Sequence, residues 1–111
     1  MDCLFCKIAN KEILAKIRFE NENFIAFDDI NPKAPIHILL VPKKHLPSVA
    51  ALEDSDQDLI GKMILTAKKI AEENEISNGF RLVFNSGPDS GQEVDHIHLH
   101  ILGGKKLGDL A

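Results

Sequence analysis

His96-Ile97-His98-Leu99-His100-Ile101-Leu102 sets three histidines in strict alternation with apolar residues. Side chains of an extended strand point to opposite faces in turn, so His96, His98 and His100 share one face while Ile97, Leu99 and Ile101 share the other. The apolar face predicts a strand, Val94 to Leu102, anchored in a core and leaving its imidazoles for chemistry. Such a strand needs neighbours, and the rest of the chain supplies them. Ile36 to Val41 is a continuous apolar run closed by Pro42, as expected of a central strand buried on both faces. Ile17 to Glu20 and Asn23 to Phe27 read as a hairpin across the polar turn Glu20-Asn21-Glu22-Asn23, and Phe80 to Phe84 reads as a further strand. From Ser55 onward, Leu59, Ile60, Met63, Ile64, Ala67, Ile70 and Ala71 recur at helical spacing, with Ser55 placed to cap and Gly79 to stop. Leu4 to Ala9 is a short amphipathic N-terminal helix. The expected architecture is α+β: a mainly antiparallel sheet of about five strands with one long and one short helix. The tail from Gly103 onward has little to pack with.

The chain has 111 residues, 44% of them apolar, which suits one domain spanning 1–111 with a largely aliphatic core, since it holds six Phe and neither Trp nor Tyr. Its formal net charge is -4, and its paired lysines, Lys43-Lys44, Lys68-Lys69 and Lys105-Lys106, are scattered. That excludes a duplex nucleic-acid binder, which needs a basic stripe to neutralise many phosphates. A small anionic ligand held by backbone amides needs none. No apolar stretch is long enough to span a bilayer, and the N-terminus lacks a basic region followed by an apolar one, so a soluble protein is expected. The two cysteines, Cys3 and Cys6, would close only a tiny disulfide loop, and a reducing cytoplasm fits them better.

Three readings of the histidine strand compete. It could be a half-buried strand whose polar face is imidazole by chance, a metal site, or a site of acid-base and nucleophilic chemistry. At about 3.3 Å per residue the outer pair stands about 13 Å apart, whereas two imidazoles on one zinc span only about 11 Å between β-carbons. At most two adjacent members can therefore share an ion. A neutral imidazole nitrogen can attack phosphorus when the proton on the other nitrogen is held by an acceptor, giving a covalent intermediate that water then cleaves. His98, flanked by two further imidazoles, is the candidate nucleophile. His37, in the buried strand, either adds another imidazole or is a core histidine bonded to backbone. The loop Asn85-Ser86-Gly87-Pro88-Asp89-Ser90-Gly91-Gln92 precedes the strand, and Gly87 and Gly91 let backbone amides approach an oxyanion closely.

The alternating run resembles the histidine triad motif. Asn85 to Gly104, together with Phe27-Asp28-Asp29-Ile30-Asn31-Pro32 and His37 to His45, is similar to the Hint branch of the histidine triad (HIT) superfamily, and the likeness covers nearly the whole chain. The resemblance implies a HIT-like fold, a homodimer whose sheets join across a two-fold axis, and hydrolysis of purine nucleoside phosphoramidates such as adenosine 5'-monophosphoramidate. In that family the alternatives are hydrolysis of dinucleoside polyphosphates and nucleotide binding with incidental turnover. The same likeness makes His98 the nucleophile, has His100 contact the scissile phosphate and help protonate the leaving group, and makes His37 a buried support. It implies that Asn85 and the backbone from Gln92 to Val94 line the phosphate site, that Asp29 binds the ribose, and that Leu4, Phe5, Ile8, Phe27 and Ile30 wall the purine. Bacterial members that resemble this chain complete Cys3 and Cys6 with His45 and His96 as a structural zinc site. The likeness stops at Glu93, where animal members usually carry serine, and at Lys105 to Ala111, which lack a tryptophan-proline tail.

Overall fold

The computed structural model describes residues 3–110. Helix α1 (Leu4–Ala9) is followed by strands β1 (Ile17–Glu20), β2 (Phe24–Asp28) and β3 (Ile36–Pro42), helix α2 (Gln57–Glu73), and strands β4 (Phe80–Phe84) and β5 (Leu99–Gly103). The strands form one sheet in the order β1-β2-β3-β5-β4, with every neighbouring pair antiparallel. This is the expected α+β architecture of five strands, one long helix and one short one. The β1–β2 turn closes as its polar residues suggest, because the Asn21 side chain accepts the N–H groups of Asn23 and Phe24.

Both faces of the middle strands are buried, which explains their unbroken apolar runs. Phe24 and Ala26 of β2, Ile38 and Leu40 of β3, and Leu99 and Ile101 of β5 pack with Met63, Ala67, Ile70 and Ala71 of α2. On the opposite face Ile25, Phe27, Leu39 and Val41 pack with Cys3, Phe5 and Ile8 of the α1 segment. Each large apolar side chain among them contributes roughly 1.5–3 kcal/mol of burial, so α1, although only six residues long, is held by the packing of Phe5 and Ile8 rather than by its own helical propensity.

Several boundaries differ from the sequence reading. Ser55 does not cap α2: it is exposed in a 3-10 turn, Asp54–Asp56, that leads directly into the helix, and within that turn the Asp56 side chain takes the Glu53 N–H at 2.9 Å and lies 3.5 Å from Lys44 Nζ without capping α2 itself. A carboxylate is the stronger acceptor for a backbone donor. Nor does Gly79 stop the helix. The Asn74 N–H and side-chain amide both donate to Ile70 O, and Glu75 takes the left-handed turn at φ 61°. Ile76 then folds back against β5, so closely that a β-carbon on Gly103 would stand 2.8 Å from its Cδ1. The tail is also better held than expected: Gly103 pairs with Ile36 and Phe80, and Arg81 donates to Gly108 O at 2.8 Å and to Asp109 O at 3.4 Å.

The largest correction concerns the strand that opened the sequence reading. Pairing begins at Leu99, not Val94. Upstream, the His96 N–H turns back to Val94 O at 2.8 Å and the Ile97 N–H leaves the sheet for Leu46 O at 2.6 Å, so the chain bends through 94–96 instead of extending. Ile97, Leu99 and Ile101 are all buried as expected, but His96 is fully buried and His98 is 6% exposed, so the histidine side is no open polar face. Among the described residues no helix is long and apolar enough to cross a membrane.

Candidate active site and metal-ligand cluster

Three imidazoles meet on the α1 side of the sheet. His37 of β3 and His100 of β5 lie on strands that pair with each other, and His98 enters just before β5. The ring centroids of His98 and His100 are 5.1 Å apart, and those of His37 and His100 are 5.2 Å apart. Their protons are fixed by what surrounds them. The Lys33 N–H donates to His37 Nδ1 at 3.0 Å, so in the neutral ring the proton sits on Nε2. That Nε2–H lies 2.9 Å from His100 Nδ1, which must accept it, so His100 in turn carries its proton on Nε2. His98 is wired the other way: its Nδ1 is 2.7 Å from His96 O, a carbonyl that can only accept, so its Nε2 keeps a bare lone pair. No buried side-chain nitrogen lacks a partner among the described residues, and the Nε2 atoms of His98 and His100 bond to none of them, so both face solvent. A bare ring nitrogen thus stands beside an N–H donor.

Burial keeps two of these rings, His37 and His100, neutral. Burial, reinforced by the neighbouring His98 and His37, lowers the pKa of His100 to about 4. Burial also lowers that of His37, against the pull of Asp29. The 3.4 Å approach of Asp29 Oδ2 to His37 Nε2 is therefore a long contact to a neutral ring rather than an ion pair, and His100 is the nearer partner.

Around the rings, Phe5 sets its edge against His98 at 5.0 Å between centroids and against Phe27 at 5.5 Å. Phe5, Ile8 and Phe27 are buried, whereas Leu4 and Ile30 are 44% and 92% exposed, leaving two apolar side chains uncovered on the segments adjoining that floor. Asp29 Oδ1 holds the Asn31 N–H at 2.8 Å. Asn85 and Val94 are half-buried. The side chain of Gln92 is consumed internally, donating to Pro47 O and Val94 O and accepting from the Gly87 N–H. The glycine loop likewise spends its amides on itself, since those of Ser90, Gly91 and Gln92 return to Gly87 O or Pro88 O. Just before the bend at His96, the amides of Glu93, Val94 and Asp95 make no backbone bond among the described residues, and within the loop the same holds for Ser86 and Asp89. A cavity of about 580 Å³ lies elsewhere, between Ile76, Arg81 and Leu107, and includes none of the histidines.

A second cluster lies under α1, where Cys3, Cys6, His45 and His96 bring four donor atoms within 4.8 Å of one another. Cys3 Sγ and Cys6 Sγ are 3.2 and 3.5 Å from His96 Nδ1, Cys6 Sγ is 3.4 Å from His45 Nδ1, and the two Nδ1 atoms are 3.1 Å apart. An ion bonded at about 2.3 Å to sulfur and about 2.05 Å to nitrogen has tetrahedral edges of about 3.3 and 3.6 Å, so the set fits with little adjustment. His96 Nε2 donates to Pro42 O at 2.8 Å, which leaves Nδ1 as the lone pair aimed at the thiols. Burial pushes the Cys6 thiol pKa up and that of His96 down, as expected of a thiol and a neutral ring before an ion displaces the thiol proton. Asp29, His37 and His100 also come within metal-binding distance of one another. There, however, the Lys33 N–H claims His37 Nδ1 and puts a proton on the nitrogen that would have to bind.

Residues 2–109 match the protein-family profile described as scavenger mRNA decapping enzyme C-terminal binding. An uncharacterised HIT-like protein of Synechocystis is 48% identical over 104 residues, 94% of this chain and 91% of its own length. The chain belongs to the histidine triad family. Protein HitA of Neisseria gonorrhoeae is 46% identical over 102 residues, 92% of this chain and 95% of that one. Among solved structures, a HIT family hydrolase from Legionella pneumophila is 48% identical with a TM-score of 0.95, covering 96% of both chains. A histidine triad protein from Clostridium difficile superposes with a TM-score of 0.96 at 47% identity, over 100% of this chain and 97% of the other. In this HIT chain the polar atoms that set the tautomers are the Lys33 amide and the carbonyls of Pro42 and His96. Sequence reasoning missed all three, because a backbone atom carries no residue signature.

Proposed function

We propose that this HIT protein is a hydrolase of purine nucleoside phosphoramidates, acting through a nucleotidyl-histidine intermediate on His98. The observation that carries the reading is the His98 Nδ1–H to His96 O bond, which leaves Nε2 as a bare lone pair beside the His100 donor. In the first step His98 Nε2 bonds to the α-phosphorus and the P–N bond to the leaving amine breaks, while the departing nitrogen accepts a hydrogen bond from the neutral His100 Nε2–H and takes its proton from solvent. In the second step water attacks phosphorus, its proton passes to solvent, and the electron pair of the breaking bond returns to His98, releasing a nucleoside monophosphate. The His37 Nε2–H holds His100 in the orientation that presents its proton outward. The amides from Glu93 to Asp95, with Asn85, receive the phosphoryl oxygens, with Gln92 acting through its backbone position and Val94 as a wall. Asp29 takes the ribose hydroxyls, and Phe5, Ile8 and Phe27 floor a purine slot whose lips are Leu4 and Ile30.

Zinc fits the Cys3, Cys6, His45 and His96 set, where it would tie α1 to the segment before β5. Reduced thiols in that role suit the cytoplasm. The edge strand β4, half-buried along its whole length, suits the joint of a homodimer. The test of the central claim is His98→Asn with adenosine 5'-monophosphoramidate. Turnover should fall by about 10³-fold or more, roughly 4 kcal/mol, and mass analysis of acid-quenched native protein should show a nucleotidyl adduct on His98. Unchanged turnover in the variant would overturn the reading.

A further inference from the structure

One residue belongs to both clusters. The His96 ring faces Cys3, Cys6 and His45 through Nδ1 and is pinned at Nε2 by Pro42 O, while its backbone carbonyl receives the Nδ1–H of His98. Its own N–H is also engaged, on Val94 O, so every polar atom of this fully buried residue is fixed. A second link runs through α1. Phe5 sits between the two cysteines in sequence and lays its ring edge against both His98 and His96, at 5.0 and 6.0 Å between centroids. The group that orients the nucleophile's tautomer and the ring that packs on its face are thus both carried by segments whose position depends on the thiol–imidazole cluster.

We infer that His96 is a positioning residue for His98, and that metal held by Cys3, Cys6, His45 and His96 sets the nucleophile's tautomer as well as stapling the N-terminus. The inference rests on the proposed roles of both clusters and adds a coupling between them. Without the ion, two imidazole lone pairs 3.1 Å apart repel unless a thiol proton intervenes, so the His96 ring has reason to turn. A turn of the ring breaks its Nε2 bond to Pro42 O and so loosens the bend at 94–96 that carries the carbonyl. The Nδ1–H bond of His98 then weakens, and the ring can place its proton on Nε2, which is the inert tautomer for attack.

The experiment uses the full chain labelled with ¹⁵N in histidine, with zinc content measured in parallel. Two-bond ¹H–¹⁵N spectra distinguish protonated from bare ring nitrogens without any turnover, so failure of the substrate assignment leaves this test intact. The zinc-loaded protein should carry about one ion per chain and show His98 solely as the Nδ1–H form. In His45→Gln, which spares His96 and α1, zinc should be lost, His98 should populate both tautomers, and kcat should fall about tenfold with KM changed less than about threefold. The His37–His100 signals should stay as they were, which separates the effect from general unfolding. Replacing zinc by cadmium in the unsubstituted protein covers the case in which the variant does not fold: longer bonds to sulfur should shift the His98 Nδ1 resonance but not that of His37. A single Nδ1–H tautomer in folded metal-free protein, or no shift with cadmium, would overturn the inference.

Discussion

The His96 cluster and the His100 cluster are built from the same side chain, four residues apart on one segment, yet they are wired for opposite work. At His96 a carbonyl takes the outer proton, and the lone pairs converge on a point between two thiols and a second imidazole. At His37 and His100 a backbone amide takes the first lone pair, and the rings then alternate donor and acceptor out to the surface. Converging lone pairs suit a cation, whereas an alternating chain suits a proton. What separates them is a single backbone atom on each side, the Pro42 carbonyl and the Lys33 amide, and that is the lesson of the pair: imidazole clusters are told apart by the atom behind the ring.

The sharpest way to break this contrast is His100→Gln. If the His100 chain handles protons, turnover should drop by about 10²–10⁴-fold, the range of a general acid-base group, while zinc content stays unchanged by elemental analysis. A parallel loss of metal would show that the two clusters are not separate devices. Acid gives the next largest effect. The folded pKa of His100 is lowered to about 4, and His37 shifts in the same direction. Above the unfolded value of about 6.5 both folded and unfolded rings are neutral, and the stabilisation from this group is complete. As pH falls from there toward 4 the unfolded chain takes up a proton that the folded one refuses, so stability drops, by at most about 3 kcal/mol for His100. Urea midpoints measured across that window should trace the decline, and His100→Gln should flatten it. A slope unaltered by the substitution would assign the acid sensitivity to other groups.

The smallest effect is the most discriminating. Lys33→Pro deletes the amide that faces His37 Nδ1, a neutral hydrogen bond worth about 1 kcal/mol. Turnover should fall about fivefold, and added zinc should inhibit this variant at lower concentrations than the native chain, because His37 Nε2 can then present a lone pair toward Asp29 and His100. Equal sensitivity to zinc in the two proteins would mean that the amide does not decide between ion and proton.

Much of this was written plainly in the sequence. The period of Leu59 to Ala71 marks α2, the unbroken run of Ile36 to Val41 marks the doubly buried β3, and three alternating histidines announce the cluster of imidazoles near β5. What stayed hidden has a common physical origin. The bend at 94–96 depends on the His96 ring being captured below the sheet, a long-range event that local alternation cannot signal, so the strand read as Val94 to Leu102 shortens to Leu99–Gly103. Likewise the glycine loop looked like an oxyanion cradle because Gly87 and Gly91 are there, but Gln92 fills that cradle with its own amide. The residue types named side chains that the fold brings together, while the directions of individual N–H groups emerged only from the fold.

Gly103 carries a consequence of a different sort. With Ile76 Cδ1 at 2.8 Å from where a β-carbon would go, the last residue of β5 is also the seat on which the chain leaving α2 rests. One added methyl group at that seat would lift the far end of the long helix away from the strands, and the strain would arrive at the strand whose opposite end presents the imidazoles. Mutational tolerance at this position is therefore set by Ile76, which already fills the space a side chain would need.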